Sequence, residues 1–137
     1  MRVLGLDIGS KTIGVAVSDE LGISAQGVGV IQRHGGQRDI DAVAELVRRF
    51  DVERLVYGLP LDDRGAETES SRRAVQLAER LSAALSLEAE GVDESYTSRE
   101  AEALLIAGGV SRKKRKGVID KLAAQLILQS WLDRQPS

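Results

Sequence analysis

Three acidic side chains stand where a folded chain has little reason to place them. Asp7 stands next to last in the apolar run RVLGLDI, Glu94 follows the run LEAEGVD, and Asp120 shares a helical stripe with Ala123, Ala124 and Ile127. A carboxylate on a surface that should be covered is costly unless a hydrogen bond, a proton or a cation compensates it. Each acid also has a plainer role open to it. Asp7 could satisfy backbone amides of the turn Gly9-Ser10-Lys11 or pair with Lys11. Glu94, with Asp93 as a competitor, and Asp120 could each favour the positive end of a helix. Gathered at one rim the three would repel one another, and hard oxygen donors of this kind suit Mg²⁺ or Mn²⁺. Two such ions about 4 Å apart can bind a phosphate, activate water and stabilise the leaving oxygen of a phosphodiester.

A cationic run, Arg112, Lys113, Lys114, Arg115 and Lys116, ends four positions before Asp120. The ordinary reading of such a run is a solvated loop. Beside a phosphodiester site it would also grip a nucleic-acid backbone, with strong salt dependence and no sequence reading. Lys11 offers a further point charge for a phosphate, and Gly9 permits close backbone approach. The formal net charge of −2 and pI near 5.5 mean that any anionic partner must be met by a local patch. Tyr57 and Tyr96 could stack on bases, although core packing suits Tyr57 better. Arg72 and Arg73 read as exposed helix residues.

Other chemistries have little to stand on. There is no cysteine, which removes disulfides, thiolate nucleophiles and Cys-based zinc sites. The single histidine, His34, sits beside two glycines in RHGGQRD and reads as a solvated loop residue. Carboxylates are the remaining tools of catalysis. The N-terminal run meets Asp7 too early for a secretory core, and no apolar run approaches the roughly 18 residues of a membrane span. The expectation is a cytoplasmic protein that does not engage membranes.

The elements that must position these residues follow from periodicity. Residues 2–8 and 12–19 and the run ISAQGVGVIQR read as three strands joined by short turns, hence an antiparallel meander. Ile40, Val43, Val47 and Phe50 recur at helical spacing, with Asp39 placed to cap the first turn. RLVYGLP reads as a buried strand stopped by Pro60. Ala74, Leu77, Ala78, Leu81 and Leu85 form a second helical stripe with Thr68 as its N-cap. LEAEGVDE is expected as the fifth strand, TSREAEALLIA as a helix ended by Gly108-Gly109, SRKKRKG as a basic loop, and VIDKLAAQLILQSWLD as the last helix. Within the first strand, Leu4, Leu6 and Ile8 should face one way and Val3, Gly5 and Asp7 the other. The order predicts an α/β fold, a mixed five-stranded sheet with helices on both faces. A fourth strand between the first and fifth would put Asp7 and Glu94 about 10 Å apart, at about 4.8 Å per strand.

Taken together, LGLDIGSKTIGVAVSD, VYGLPL, VDESYTSREA and VIDKLAAQLILQSWLD resemble, in order and spacing, the YqgF family, also described as RuvX-type Holliday junction resolvases and pre-16S rRNA nucleases. The resemblance spans nearly the whole chain. It implies a ribonuclease H-like fold over residues 1–137 as one nuclease domain: a three-strand antiparallel meander plus two parallel strands. It implies metal-dependent cleavage, with the family's acidic positions falling on Asp7, Glu94 and Asp120. It implies processing of the 5′ end of pre-16S rRNA in ribosome biogenesis, with resolution of branched DNA junctions as the older assignment. Two-fold-related cuts in a four-way junction would require a homodimer, for which Trp131 and the last helix are candidates. Ser95 departs from the family, which often carries an arginine there. A non-catalytic RNA-binding assembly factor is the rival of another class.

Overall fold

The computed structural model describes residues 1–93 and 112–136, apart from the side chains of 112–118 and 120. Strands β1 (Arg2–Ile8), β2 (Thr12–Ser18) and β3 (Ala25–Gln32) form the antiparallel meander, and β4 (Val52–Leu59) and β5 (Glu88–Asp93) follow in parallel. The sheet order is β3-β2-β1-β4-β5, so β1 is central and β4 separates it from β5, as expected.

The alternation in β1 is what divides the core. Leu4, Leu6 and Ile8 pack with Ile40 and Val43 of α1 (Gly36–Phe50) and with Ala74, Leu77, Ala78 and Leu81 of α2 (Glu69–Leu85). Val3, on the opposite face, packs with Ala124, Ile127, Leu128 and Trp131 of α3 (Arg112–Asp133), together with Val56 and Val92. Tyr57 lies in the first cluster, a core position rather than a base-stacking one; burial first, and then the Glu79 charge, raise its phenol above the ordinary range. Trp131 closes the second cluster. Its indole N–H donates to Glu90 at 2.6 Å, and the Arg54 guanidinium sits 5.4 Å from the ring centroid.

The cap of α2 is the expected one. The Thr68 hydroxyl accepts the Ser71 N–H at 3.0 Å, the Ser71 hydroxyl accepts the Thr68 N–H at 2.8 Å, and Thr68 also donates to the Pro60 carbonyl at 2.7 Å. The third bond ties the helix to the end of β4.

Two helices start earlier than their sequence pattern suggests. α1 begins at Gly36, so Asp39 lies inside the first turn and is not its cap. Positive φ at Gly35 and Gly36 turns the chain, and the Asp39 carboxylate reaches back to the N–H groups of His34 and Gly35 at 2.9 and 3.2 Å. α3 begins at Arg112, so the basic run is helical backbone rather than a loop. Lys and Arg are good helix formers, and Gly117 is a single weak position that the packed turns after it outweigh. The segment TSREAEALLIA lies outside the described residues.

Candidate functional site

The placement of α3 on the sheet starts from one missing side chain. A Cβ at Gly5 would lie 2.7 Å from Leu128 Cβ and 3.3 Å from the Ala124 carbonyl oxygen, so the helix presses directly on the β1 backbone there. Two side-chain bonds set its direction. Gln129 Oε1 accepts the Ala25 N–H at 2.9 Å, and Gln125 Oε1 accepts the Gly27 N–H at 3.3 Å. Ala25 pairs with Ser18, whereas Gly27 pairs with Ala16, which itself pairs with Gly5. Moving backward along α3 therefore means moving forward along β1. One helical turn before Ala124 is about 6 Å, and two residues of strand beyond Gly5 is nearly the same length. The backbone at position 120 consequently runs level with Asp7. The Asp120 side chain lies outside the described residues.

Asp7 is half-buried near the C-terminal end of β1. Its partner across β2 is Gly14, which pairs onward with Val30. On the other side, the β1–β4 ladder runs to Leu6 and Tyr57, and its next step sets Asp7 beside Gly58, which pairs with Val92 of β5. The carboxylate is thus flanked on both neighbouring strands by residues without side chains. A side chain at either position would stand about 5 Å from Asp7, the spacing of adjacent strands. A hard oxygen donor between two glycines fits a hydrated divalent cation of the Mg²⁺ or Mn²⁺ type.

Of the proposed trio, the described residues include the Asp7 side chain and the backbone of Asp120. Glu94 lies outside the described residues; Asp93, which precedes it, ends β5 and is exposed. Among the described residues no group of three acidic or histidine side chains converges. The side chains of Arg112, Lys113, Lys114, Arg115 and Lys116 are likewise outside the description, while their backbone forms the first turns of α3. Lys11 is exposed in the turn after β1, and His34 is exposed in the loop before α1.

A pair that sequence reasoning missed supports this end of the sheet. Arg33 Nε donates to Asp39 at 3.0 Å and Arg33 Nη1 donates to the Gly9 carbonyl at 2.8 Å. Asp39 retains only 1% of its side-chain exposure. An arginine and an aspartate bracketing Gly35-Gly36 in RHGGQRD were the available signal, but helix capping offered a complete local explanation of the acid. Burial pushes the Asp39 carboxyl up. The His34 N–H, the Arg33 hydrogen bond and charge, and the Gly35 N–H outweigh that and hold it below the ordinary value of 3.8.

A pKa depressed in the folded state means stability that is fully present above pH 3.8 and is lost as pH falls through the lowered folded value. Asp39→Asn should cost about 2–3 kcal/mol at neutral pH, because it leaves a mostly buried guanidinium without its charge partner. Urea unfolding of both proteins across pH 2 to 7 checks this. The gap in midpoints should narrow below pH 3.8, and a gap that widens there would contradict it.

Comparison with known proteins gives a consistent set of similarities. The RuvX family model, described as Holliday junction resolvase, matches residues 1–134. A protein of Syntrophus aciditrophicus (strain SB), named "Putative pre-16S rRNA nuclease", is 48% identical over 133 residues, covering 97% of this chain and 89% of that protein. A protein of the same name from Bacillus cereus (strain AH187) is 47% identical over 137 residues, covering 98% of this chain and 100% of that one. Among solved structures, Thermus thermophilus RuvC in complex with Holliday junction substrate aligns over 96% of this chain and 93% of its own, with TM-score 0.57 and 19% identity. The Fowlpox virus resolvase in complex with Holliday junction DNA aligns over 97% of both chains, with TM-score 0.58 and 11% identity.

Proposed function

Because this chain belongs to the RuvX family of Holliday junction resolvases and has the ribonuclease H-like sheet of the resolvases it resembles, we propose that it is a divalent-metal-dependent nuclease that processes the 5′ end of pre-16S rRNA. The observation that carries the reading is the position of Asp7: a carboxylate at the end of the central strand, flanked by Gly14 and Gly58, level with position 120 of the helix above it.

Asp7, Glu94 and Asp120 would hold the ions. When bound, Mg²⁺ or Mn²⁺ supplies a nucleophilic water near neutral pH and charge stabilisation at the phosphoryl oxygens. The chain's own residues do the rest. The glycine flanks leave room for a phosphate to approach the strand end, and Lys11 presents an ammonium from the adjoining turn. The cations at the start of α3 lie eight to twelve positions before Ala124 on the same helix, on the side of Asp120. They hold the phosphate backbone by charge, which fixes its register without reading sequence. No histidine or cysteine is required.

Nuclease is the class that the family supports; the metal, the RNA substrate, action as one domain over 1–137 and a cytoplasmic setting belong to this proposal. No helix among the described residues is long and apolar enough to cross a membrane. The family description favours a second reading, resolution of four-way DNA junctions by a homodimer. One assay separates them. Purified protein is given a precursor carrying the 16S 5′ boundary or a four-way junction, each with Mn²⁺, with Mg²⁺ and with chelator. Cleavage of the RNA alone, dependent on metal, is the expected result. Cutting of the junction alone would establish the second reading, and binding of RNA without cleavage under every condition would establish an assembly factor.

A further inference from the structure

The turn between β1 and β2 carries the proposed substrate lysine, and one residue beyond β3 ties it down. Ser10 and Lys11 are exposed, and the Gly9 N–H closes the turn on the Thr12 carbonyl at 2.9 Å. Two further bonds come from one residue at the end of β3. The Arg33 N–H donates to the Lys11 carbonyl at 2.9 Å, and Arg33 Nη1 donates to the Gly9 carbonyl at 2.8 Å. The guanidinium is itself fixed, since its Nε is bonded to Asp39, and that carboxylate is held by the backbone at the start of α1. With the Arg33 side chain 17% exposed and that of Asp39 1% exposed, water competes poorly for these bonds.

We propose that Arg33 is a positioning residue for nucleic-acid binding: clamped by Asp39, it holds the Gly9 carbonyl and so sets the turn from which Lys11 meets a substrate phosphate. This rests on the reading that Lys11 faces the substrate. The planar fork of arginine can serve a carboxylate and a carbonyl at once, whereas a lysine ammonium is a single point on a flexible stem. Arg33 acts through the turn and touches no reacting atom. Asp7 is held independently, by its strand pairing with Gly14.

The test is a double-mutant cycle on Arg33 and Lys11, read twice: as the Kd for a precursor-rRNA fragment carrying the 16S 5′ boundary, and as kcat/KM for its cleavage. Lys11→Ala and Arg33→Ala should each weaken binding by about tenfold, a typical value for one phosphate contact. The double variant should be close to either single one, because Arg33 has nothing left to position once the ammonium is gone. Arg33→Lys should also lose most of the effect. Thermal melting identifies any variant that has unfolded, in which case Arg33→Lys replaces Arg33→Ala in the cycle.

Losses that multiply to about a hundredfold in the double variant would mean that Arg33 acts through general stability, and the proposal would fall. Wild-type affinity in Arg33→Ala would overturn it outright. Wild-type protein that binds RNA but cleaves nothing would sink the nuclease reading alone, since the Kd cycle still decides the role of Arg33.

Discussion

Asp7→Asn is expected to lower cleavage by about a thousandfold in a protein that still folds. The substitution keeps the shape and removes the charge. A metal-held transition state draws several kcal/mol from its anionic ligands, and about 4 kcal/mol corresponds to that factor in rate. Asp7 is half-buried near a strand end with Gly14 and Gly58 beside it, so an isosteric amide fits the same space. Single-turnover cleavage together with Mn²⁺ binding, followed by electron paramagnetic resonance, measures both sides. Retention of more than a tenth of the wild-type rate would remove Asp7 from the site.

Gly5→Val should act in the opposite sense, on the fold first and on activity as a result. The added Cβ would fall 2.7 Å from Leu128 Cβ and 3.3 Å from the Ala124 carbonyl, and neither is the far end of a flexible side chain. Relief requires α3 to move. Overpacking of this kind costs about 3 kcal/mol, or roughly a 10 °C drop in melting temperature for a chain of this size. Activity should fall further than the folded fraction does, because the helix that shifts is the one carrying Asp120. Gly5→Ala is the milder control. A Gly5→Val protein that melts with the wild type would show that α3 does not sit on β1 as described.

Sequence patterning reached the sheet because its signals are strong and local. Leu4, Leu6 and Ile8 alternate with Val3, Gly5 and Asp7, and that alternation alone assigns the two faces of the central strand. Thr68 was legible as a cap because a hydroxyl just ahead of a helical stripe can accept a first-turn N–H, as it does from Ser71. The start of α3 was not. Charge suggested solvent, while the preference that won is set by the packing of Ala123, Ala124, Ile127 and Leu128 further along. Arg33 was missed for a related reason. Its partners, Gly9 and Asp39, lie 24 residues before it and 6 after it. Only the meander brings the first of them near, and no local pattern records that. The glycine flanks of Asp7 are a property of register, invisible until the strands are paired.

The close seat of α3 on Gly5 makes the helix a lever. Its last turns are anchored by Gln129, Trp131 and Leu132, while its cationic tip at Arg112 extends beyond the pivot at Ala124 by 12 residues, an arm of about 18 Å. A tilt of about 5° at the pivot would swing that tip by roughly 1.5 Å yet move position 120 by about a third as much. Small volume changes under the seam at Val3, Val56 or Val92 would thus be amplified into a displaced tip, far from where the substitution was made, and with the proposed function into a misaligned hold on the substrate.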